Sequence, residues 1–212
     1  MLKPRSVSNT IRSRWARYNA YKRAYSYGPE WPLVLRLRKP LFKSTAVSSC
    51  QYLAKGTVLD MGTGPGTLPH LLAEIAPNIR VIGIDLERAL LQDAQEDALR
   101  NAVHDHASFL LADAHALPFS DGSFDMVVSI ASLHLWHDRQ KCVSESYRVL
   151  KQGGTVLMLV GRLRIYPGKT SLLDLVTKGS AKYLKSIFEA AGFEEIQIAY
   201  PESSWLRVVG RK

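Results

Sequence analysis

The chain predicts an α/β domain with a doubly wound, mainly parallel sheet. Three observations carry that prediction. From residue 57 onward, short β-rich runs alternate with helical stretches, the pattern of a parallel sheet covered on both faces. A glycine-rich turn joins the first strand to the first helix. The length, 212 residues, suits one such domain with a modest extension.

Each element follows from local pattern. The apolar run Thr57–Met61 reads as the first strand, and the helix over Leu68–Ala76 is closed by Pro77. Val81–Asp85 is the second strand, Glu87–Ala102 a helix, and Ser108–Leu111 the third strand. Phe124–Ile130 is the fourth strand and Lys141–Leu150 a helix. Gly153 and Gly154 read as a turn into the fifth strand, Thr155–Val160. A helix over Ala181–Ala191 stops at Gly192, and Phe193–Ala199 and Trp205–Gly210 complete seven strands.

Charge divides the chain. Residues 1–56 hold twelve Lys and Arg against one acid, Glu30, a net +11. The sixteen cations and eighteen acids that follow give −2. A near-neutral domain, residues 51–212, therefore carries a cationic extension, residues 1–50, suited to an anionic surface. Ser8 and Asn9 can cap a helix over Thr10–Tyr25, with Ile11, Trp15, Tyr18, Tyr21 and Tyr25 near one face and Lys22 interrupting it. Residues 31–40 mix apolar and basic side chains between Trp31-Pro32 and Pro40. Two readings stand for these segments: packing over the sheet with the charges in water, or an interaction role.

Composition excludes other classes. No apolar run reaches the roughly 18 residues of a membrane span. Cys50 and Cys142 form neither a CxxC pair nor a metal cluster with the histidines, so reduced thiols, no metal and a cytoplasmic setting are expected. The first thirty residues share their Arg-rich, Ser-rich, acid-poor composition with organellar transit peptides. The preferred reading remains a cytoplasmic protein, at most peripheral to a membrane.

The strongest local signal is Val58-Leu59-Asp60-Met61-Gly62-Thr63-Gly64-Pro65-Gly66, an apolar strand entering a glycine turn that opens a helix. Glycines let the backbone approach a ligand closely, and the helix N-terminus offers N–H groups to a carboxylate or phosphate. A dinucleotide fingerprint requires a glycine where Thr67 stands, and Gly66 falls one residue early. With the acid two residues ahead of Gly62, this turns the reading from nicotinamide to S-adenosylmethionine (SAM).

Here the sequence resembles the class I SAM-dependent methyltransferases, whose first motif is an acid followed by G-x-G-x-G. Asp85, ending Val81-Ile82-Gly83-Ile84-Asp85 nineteen residues past Gly66, matches the acid that accepts the ribose hydroxyls, with Leu86 beside it. Asp113-Ala114, ahead of Leu117-Pro118-Phe119, resembles the adenine site, where the carboxylate accepts from the exocyclic amine. Phe124–Ser129 looks like the fourth-strand motif, and Arg148–Gly154 like the helix-turn-strand after it, with Gln152 where many members have proline. The resemblance spans residues 57–160. It implies a Rossmann-like sheet of seven strands with an antiparallel last strand and an N-terminal helical lid. The cofactor contacts it implies are Asp60, Gly62, Thr63, Gly64, Gly66, Asp85, Leu86, Asp113, Ala114, Ser129 and Ile130, and S-adenosylhomocysteine is the expected product.

Methyl transfer from a sulfonium is an in-line displacement on an activated carbon, so alignment and exclusion of water matter more than a strong base. In Ser132-Leu133-His134-Leu135-Trp136-His137-Asp138, the resemblance makes His134 the first candidate for proton acceptor or substrate orienter and His137 the second. Trp136, with Trp15, Tyr18 and Tyr25 of the extension, is a candidate pocket wall. The tetrad used for methylating amide or base nitrogens is replaced by Ser129-Ile130-Ala131-Ser132. The pattern looks closest to ubiquinone/menaquinone-biosynthesis-like and phospholipid N-methyltransferase-like enzymes, which implies a small or lipid-like acceptor. The alternatives are an RNA or protein methyltransferase recruiting its target through residues 1–50, and a SAM-binding protein without catalysis.

Overall fold

A computed structural model describes residues 31–161, 180–202 and 205–212. The chain divides into two units, Met1–Leu41 and Phe42–Lys212, and the sheet with its flanking helices belongs to the second. The expected helix over Thr10–Tyr25, with Trp15, Tyr18 and Tyr25, lies outside the described residues.

Helix α1 (Trp31–Tyr52) comes first. The sequence reading makes residues 1–50 a helical extension but places its helix over Thr10–Tyr25 and gives no helix bounds for 31–52. Pro32 falls in the first turn, where the missing N–H has no helical partner to lose, and the helix tolerates Pro40 at the loss of one internal hydrogen bond. Near its C-terminal end Thr45, Ala46 and Ser49 are buried, and the Ser49 hydroxyl donates back to Thr45 O at 2.9 Å.

The sheet follows the predicted alternation. Its strands are β1 (Gly56–Met61), β2 (Ile79–Asp85), β3 (Ala107–Leu111), β4 (Phe124–Ile130), β5 (Leu150–Gly161), β6 (Glu194–Glu202) and β7 (Trp205–Arg211). They lie in the order β3-β2-β1-β4-β5-β7-β6. β1 to β5 are mutually parallel, and β7 runs antiparallel to both β5 and β6, giving the expected mixed sheet. Central strands read as continuous apolar runs because both faces are covered: Val58, Leu59, Met61, Met126, Val127 and Val128 are fully buried. At the β3 edge Leu110 and Leu111 are exposed.

Helices α2 (Thr67–Ile75), α3 (Arg88–Arg100), α4 (Arg139–Val149) and α5 (Ala181–Ala191) present apolar stripes at helical spacing. Leu90, Leu91, Ala94 and Ala98 form the stripe of α3, and Leu184, Ile187 and Phe188 that of α5. Asp138 caps α4 by accepting from Lys141 N at 2.9 Å, so the helix starts two residues earlier than its apolar periodicity suggests. Gly192 ends α5 in the left-handed conformation (φ 102°).

Gly153 and Gly154 are not a turn ahead of β5. They lie inside it, at an irregularity where pairing jumps from Phe124 with Leu150 to Met126 with Thr155. Gly153 has φ 75°, which glycine adopts freely, and the extra residues bend the strand.

The strand order reverses between β1 and β4. β1, β2 and β3 step one way and β4 and β5 the other, which opens a crevice beyond the C-terminal ends of β1 and β4.

Candidate functional site

The described residues expected from the sequence for the site lie on strands β1, β2 and β4 and on the loops that follow β1, β2, β3 and β4. Asp60 sits in β1, Asp85 ends β2, Asp113 and Ala114 follow β3, and Ser129 and Ile130 end β4. The turn after β1 is built from residues with positive φ: Gly62 (76°), Gly64 (57°) and Gly66 (75°). Space constrains two of them. A Cβ on Gly62 would lie 2.5 Å from the Ser132 Cβ, and one on Gly66 would lie 2.9 Å from both Ala94 and Phe109. At Gly64 the nearest atom to such a Cβ is 4.0 Å away, so its side faces open room that a ligand can enter. Gly66 caps α2 without a side-chain bond, leaving the helix N-terminus to the turn.

Acids dominate the electrostatics of the turn. Asp60 is only 2% exposed, and burial pushes its carboxyl up to about 7; the nearby Asp85 adds to this and the Thr63 side chain opposes it. The Thr63 hydroxyl does not reach hydrogen-bond geometry: its oxygen is buried with no partner among the described residues. Burial also raises Asp85, against the pull of backbone N–H groups. Its Oδ2 accepts from Gly64 N at 2.9 Å and its Oδ1 from Glu87 N at 3.0 Å, so this carboxylate braces the glycine turn against the start of α3.

A second cluster joins the turn to the loop after β4. Ser129 Oγ and Ser132 Oγ lie within 2.9 Å of Met61 O and in hydrogen-bond contact with each other. Ala131 between them adopts φ 56°, a left-handed conformation that costs a non-glycine residue about 1 kcal/mol. A 3-10 turn, Leu133–Leu135, follows, with the His134 carbonyl accepting from Arg139 at 3.2 Å. Trp136 is partly buried against the main core, and His137 is exposed.

The loop after β3 contains residues that the sequence analysis did not single out. His115 donates through its backbone N–H (2.9 Å) and its ring Nδ1 (2.6 Å) to Asp113 Oδ1, and its ring centroid lies 4.1 Å from that of His137. Farther along, Glu145 on α4 accepts from Leu117 N at 2.8 Å and pairs in two places with Arg148, at 2.9 Å each. Arg148 in turn donates to Phe119 O and Asp121 at 2.8 Å and to Leu117 O at 3.1 Å. Arg148 holds the buried Glu145 carboxyl below the usual carboxylate range. The signal available in sequence was a Glu three residues ahead of an Arg on one helix, a spacing shared with many solvent-facing pairs.

The orphaned Thr63 hydroxyl and the open side of Gly64 leave polar contact and room at the glycine turn for a ligand. Fold and glycine turn define a Rossmann-like domain for a nucleotide-type cofactor. Comparison with known proteins makes this specific: the family model described as "Methyltransferase domain" matches residues 59–158. Residues 59–158 thus form a methyltransferase domain of the class I SAM-dependent kind.

A demethylmenaquinone methyltransferase of Thermus thermophilus is 36% identical over 143 residues, 68% of this chain and 60% of the relative. An arsenite methyltransferase of Halobacterium salinarum is 32% identical over 156 residues, 70% of this chain and 40% of the relative. The chain thus spans less than two thirds of the length of these relatives. The crystal structure of a SAM-dependent methyltransferase from Aquifex aeolicus shares the fold with a TM-score of 0.66 at 21% identity, covering 86% of this chain and 93% of that one.

Proposed function

We propose that the protein transfers the methyl group of SAM to a small, lipid-like acceptor of the quinol type. The observation that carries the reading is the convergence at one crevice of the glycine turn, Asp85, Asp113 and the His134–His137 loop, on the C-terminal ends of four adjacent strands. Asp85 would hold the ribose hydroxyls, Asp113 the adenine amine, and Gly62–Gly66 with Asp60 the amino-acid tail; Ala114, Leu86, Ser129 and Ile130 would line the nucleoside. Bound SAM supplies an activated methyl group. The protein's own task is to align the acceptor against it and exclude water. His134, with His137 second, is the proposed proton acceptor or orienter, and Trp136 a wall of the acceptor pocket.

The demethylmenaquinone relative supports a quinol acceptor, and the absence of a DPPY-like tetrad at Ser129–Ser132 argues against amide or base nitrogens. The +11 charge of residues 1–56 favours an anionic surface as the place where a lipid-like acceptor is met. No helix among the described residues is long and apolar enough to cross a membrane.

The test supplies methyl-labelled SAM with a demethylated quinol in anionic phospholipid vesicles and, separately, with RNA. Label recovered in the quinol is the expected result. Label in RNA alone would replace the lipid reading with the nucleic-acid one, and SAM binding without transfer to either would favour a non-catalytic role. Replacing Arg12, Arg14 and Arg17 together by Gln should lower vesicle association at low salt while leaving SAM affinity unchanged.

A further inference from the structure

We propose that His115 is a positioning residue of the adenine site: it holds Asp113 in the orientation that accepts the cofactor's exocyclic amine, and its ring contact with His137 ties that hold to the loop after β4. The proposal rests on the assignment of Asp113 to the adenine given above. A carboxylate only accepts hydrogen bonds, so the 2.6 Å contact assigns the imidazole proton to Nδ1. With the His115 backbone N–H also on Oδ1 at 2.9 Å, two donors converge on one oxygen. The plane of the carboxylate is then fixed, and its second oxygen is presented in a single direction. The Asp113 side chain is 30% exposed, open enough to meet a ligand, while that of His115 is 9% exposed.

Two interactions among the described residues orient the imidazole. Its Nε2 is buried with no partner among the described residues, so no hydrogen bond there orients the ring. The Nδ1 contact and the His137 ring, 4.1 Å away and tilted by 35°, do so instead. His137 belongs to the loop that carries the candidate acceptor residues. A shift of that loop would therefore be felt at Asp113, which makes cofactor grip and acceptor-loop position parts of one arrangement.

The distinguishing probe is the purine 6-position. S-adenosylhomocysteine offers an amine to Asp113, and S-inosylhomocysteine replaces it with an oxygen that the carboxylate repels. Calorimetry on the full chain should show the wild type preferring the adenosine ligand by about 30-fold or more. His115→Leu, which keeps bulk and removes the donor, should reduce that preference to about threefold, with His115→Ala as a second donorless variant should Leu not fold. His115→Asn, whose amide N–H reaches the place of Nδ1, should restore most of it, and His137→Ala should give an intermediate ratio. A purely structural histidine would weaken both ligands alike and leave the ratio unmoved. A wild-type ratio in a folded donorless variant overturns the proposal alone, and one in His137→Ala overturns the coupling. Indifference of the wild type to the 6-position overturns both the proposal and the adenine assignment beneath it.

Discussion

Replacing Asp60 by Asn tests the electrostatic reasoning because it should move stability and cofactor response in opposite directions. The carboxyl lies in a central strand, paired across Gly83 and Val128, is 2% exposed, and has another acid as its charged neighbour. Its pKa is moved from the ordinary 3.8 to about 7. For an acid whose folded pKa is raised, the native state binds more protons than the unfolded chain between those values. Stability therefore falls as pH rises through the window, and the full penalty is present above about pH 7. At ~1.4 kcal/mol per pH unit this penalty reaches at most about 4 kcal/mol. The neutral, isosteric amide abolishes it. Without cofactor, Asp60→Asn should match the wild type near pH 4 and exceed it at pH 8, by up to about 10 °C in melting temperature for a domain of this size. Saturating SAM, whose ammonium is proposed to meet Asp60, should stabilise the wild type more than the variant at pH 8. Thermal melts at both pH values, with and without SAM, read out all of this. A variant no more stable than the wild type at pH 8 would refute the burial argument, and an undiminished SAM shift would remove Asp60 from the cofactor site.

Three further substitutions probe other parts of the site. Asp85→Ala should weaken SAM binding by on the order of 1.5–3 kcal/mol in calorimetry, since it removes the proposed ribose acceptor together with the brace on Gly64 N and Glu87 N. His134→Ala should lower turnover about 10²–10⁴-fold in a labelled-methyl assay with SAM affinity nearly unchanged if the side chain is the proton acceptor, and an unaltered rate would leave it a loop residue. Arg148→Ala, which strips the pairing from the buried Glu145 and releases Leu117 and Phe119, should cost on the order of 3 kcal/mol in denaturant unfolding at pH 7. Glu145 is held below its ordinary pKa, so the wild-type advantage is fully present at neutral pH and should shrink only as pH falls below the usual carboxylate range.

Most of the fold was legible because its determinants are local and periodic. The run Val58–Met61 is apolar at every position but Asp60, which marks a strand covered on both faces, and Gly62, Gly64 and Gly66 mark a backbone that only glycine adopts at no steric cost. Asp85 and Asp113 could be placed at strand ends for the same reason, since a polar residue closing an apolar run exits the sheet at its C-terminal edge. The bounds of the helix Trp31–Tyr52 were not legible, although residues 1–50 were expected to be helical. Proline weakens a helix by a local rule, and neither the tolerance of Pro40 nor the burial of Thr45 and Ser49 leaves a trace in the hydropathy pattern.

Sequence alone thus determined the order of strands and helices, the glycine turn, the acids at its rim and the charge of the extension, all of which depend on residues a few positions apart. Tertiary structure decided what meets across the crevice. The contact of His115 with His137 joins residues 22 apart, the grip of Glu145 on Leu117 joins residues 28 apart, and the hydroxyls of Ser129 and Ser132 reach a carbonyl some 70 positions away at Met61. Such pairs arise because β4 is inserted beside β1, on the other side from β2, which brings the loops after β1, β3 and β4 to one edge of the sheet. The raised pKa of Asp60 has the same origin: an aspartate in a sequence is a charge in water, and burial between β2 and β4, with Asp85 nearby, pushes its carboxyl up to about 7.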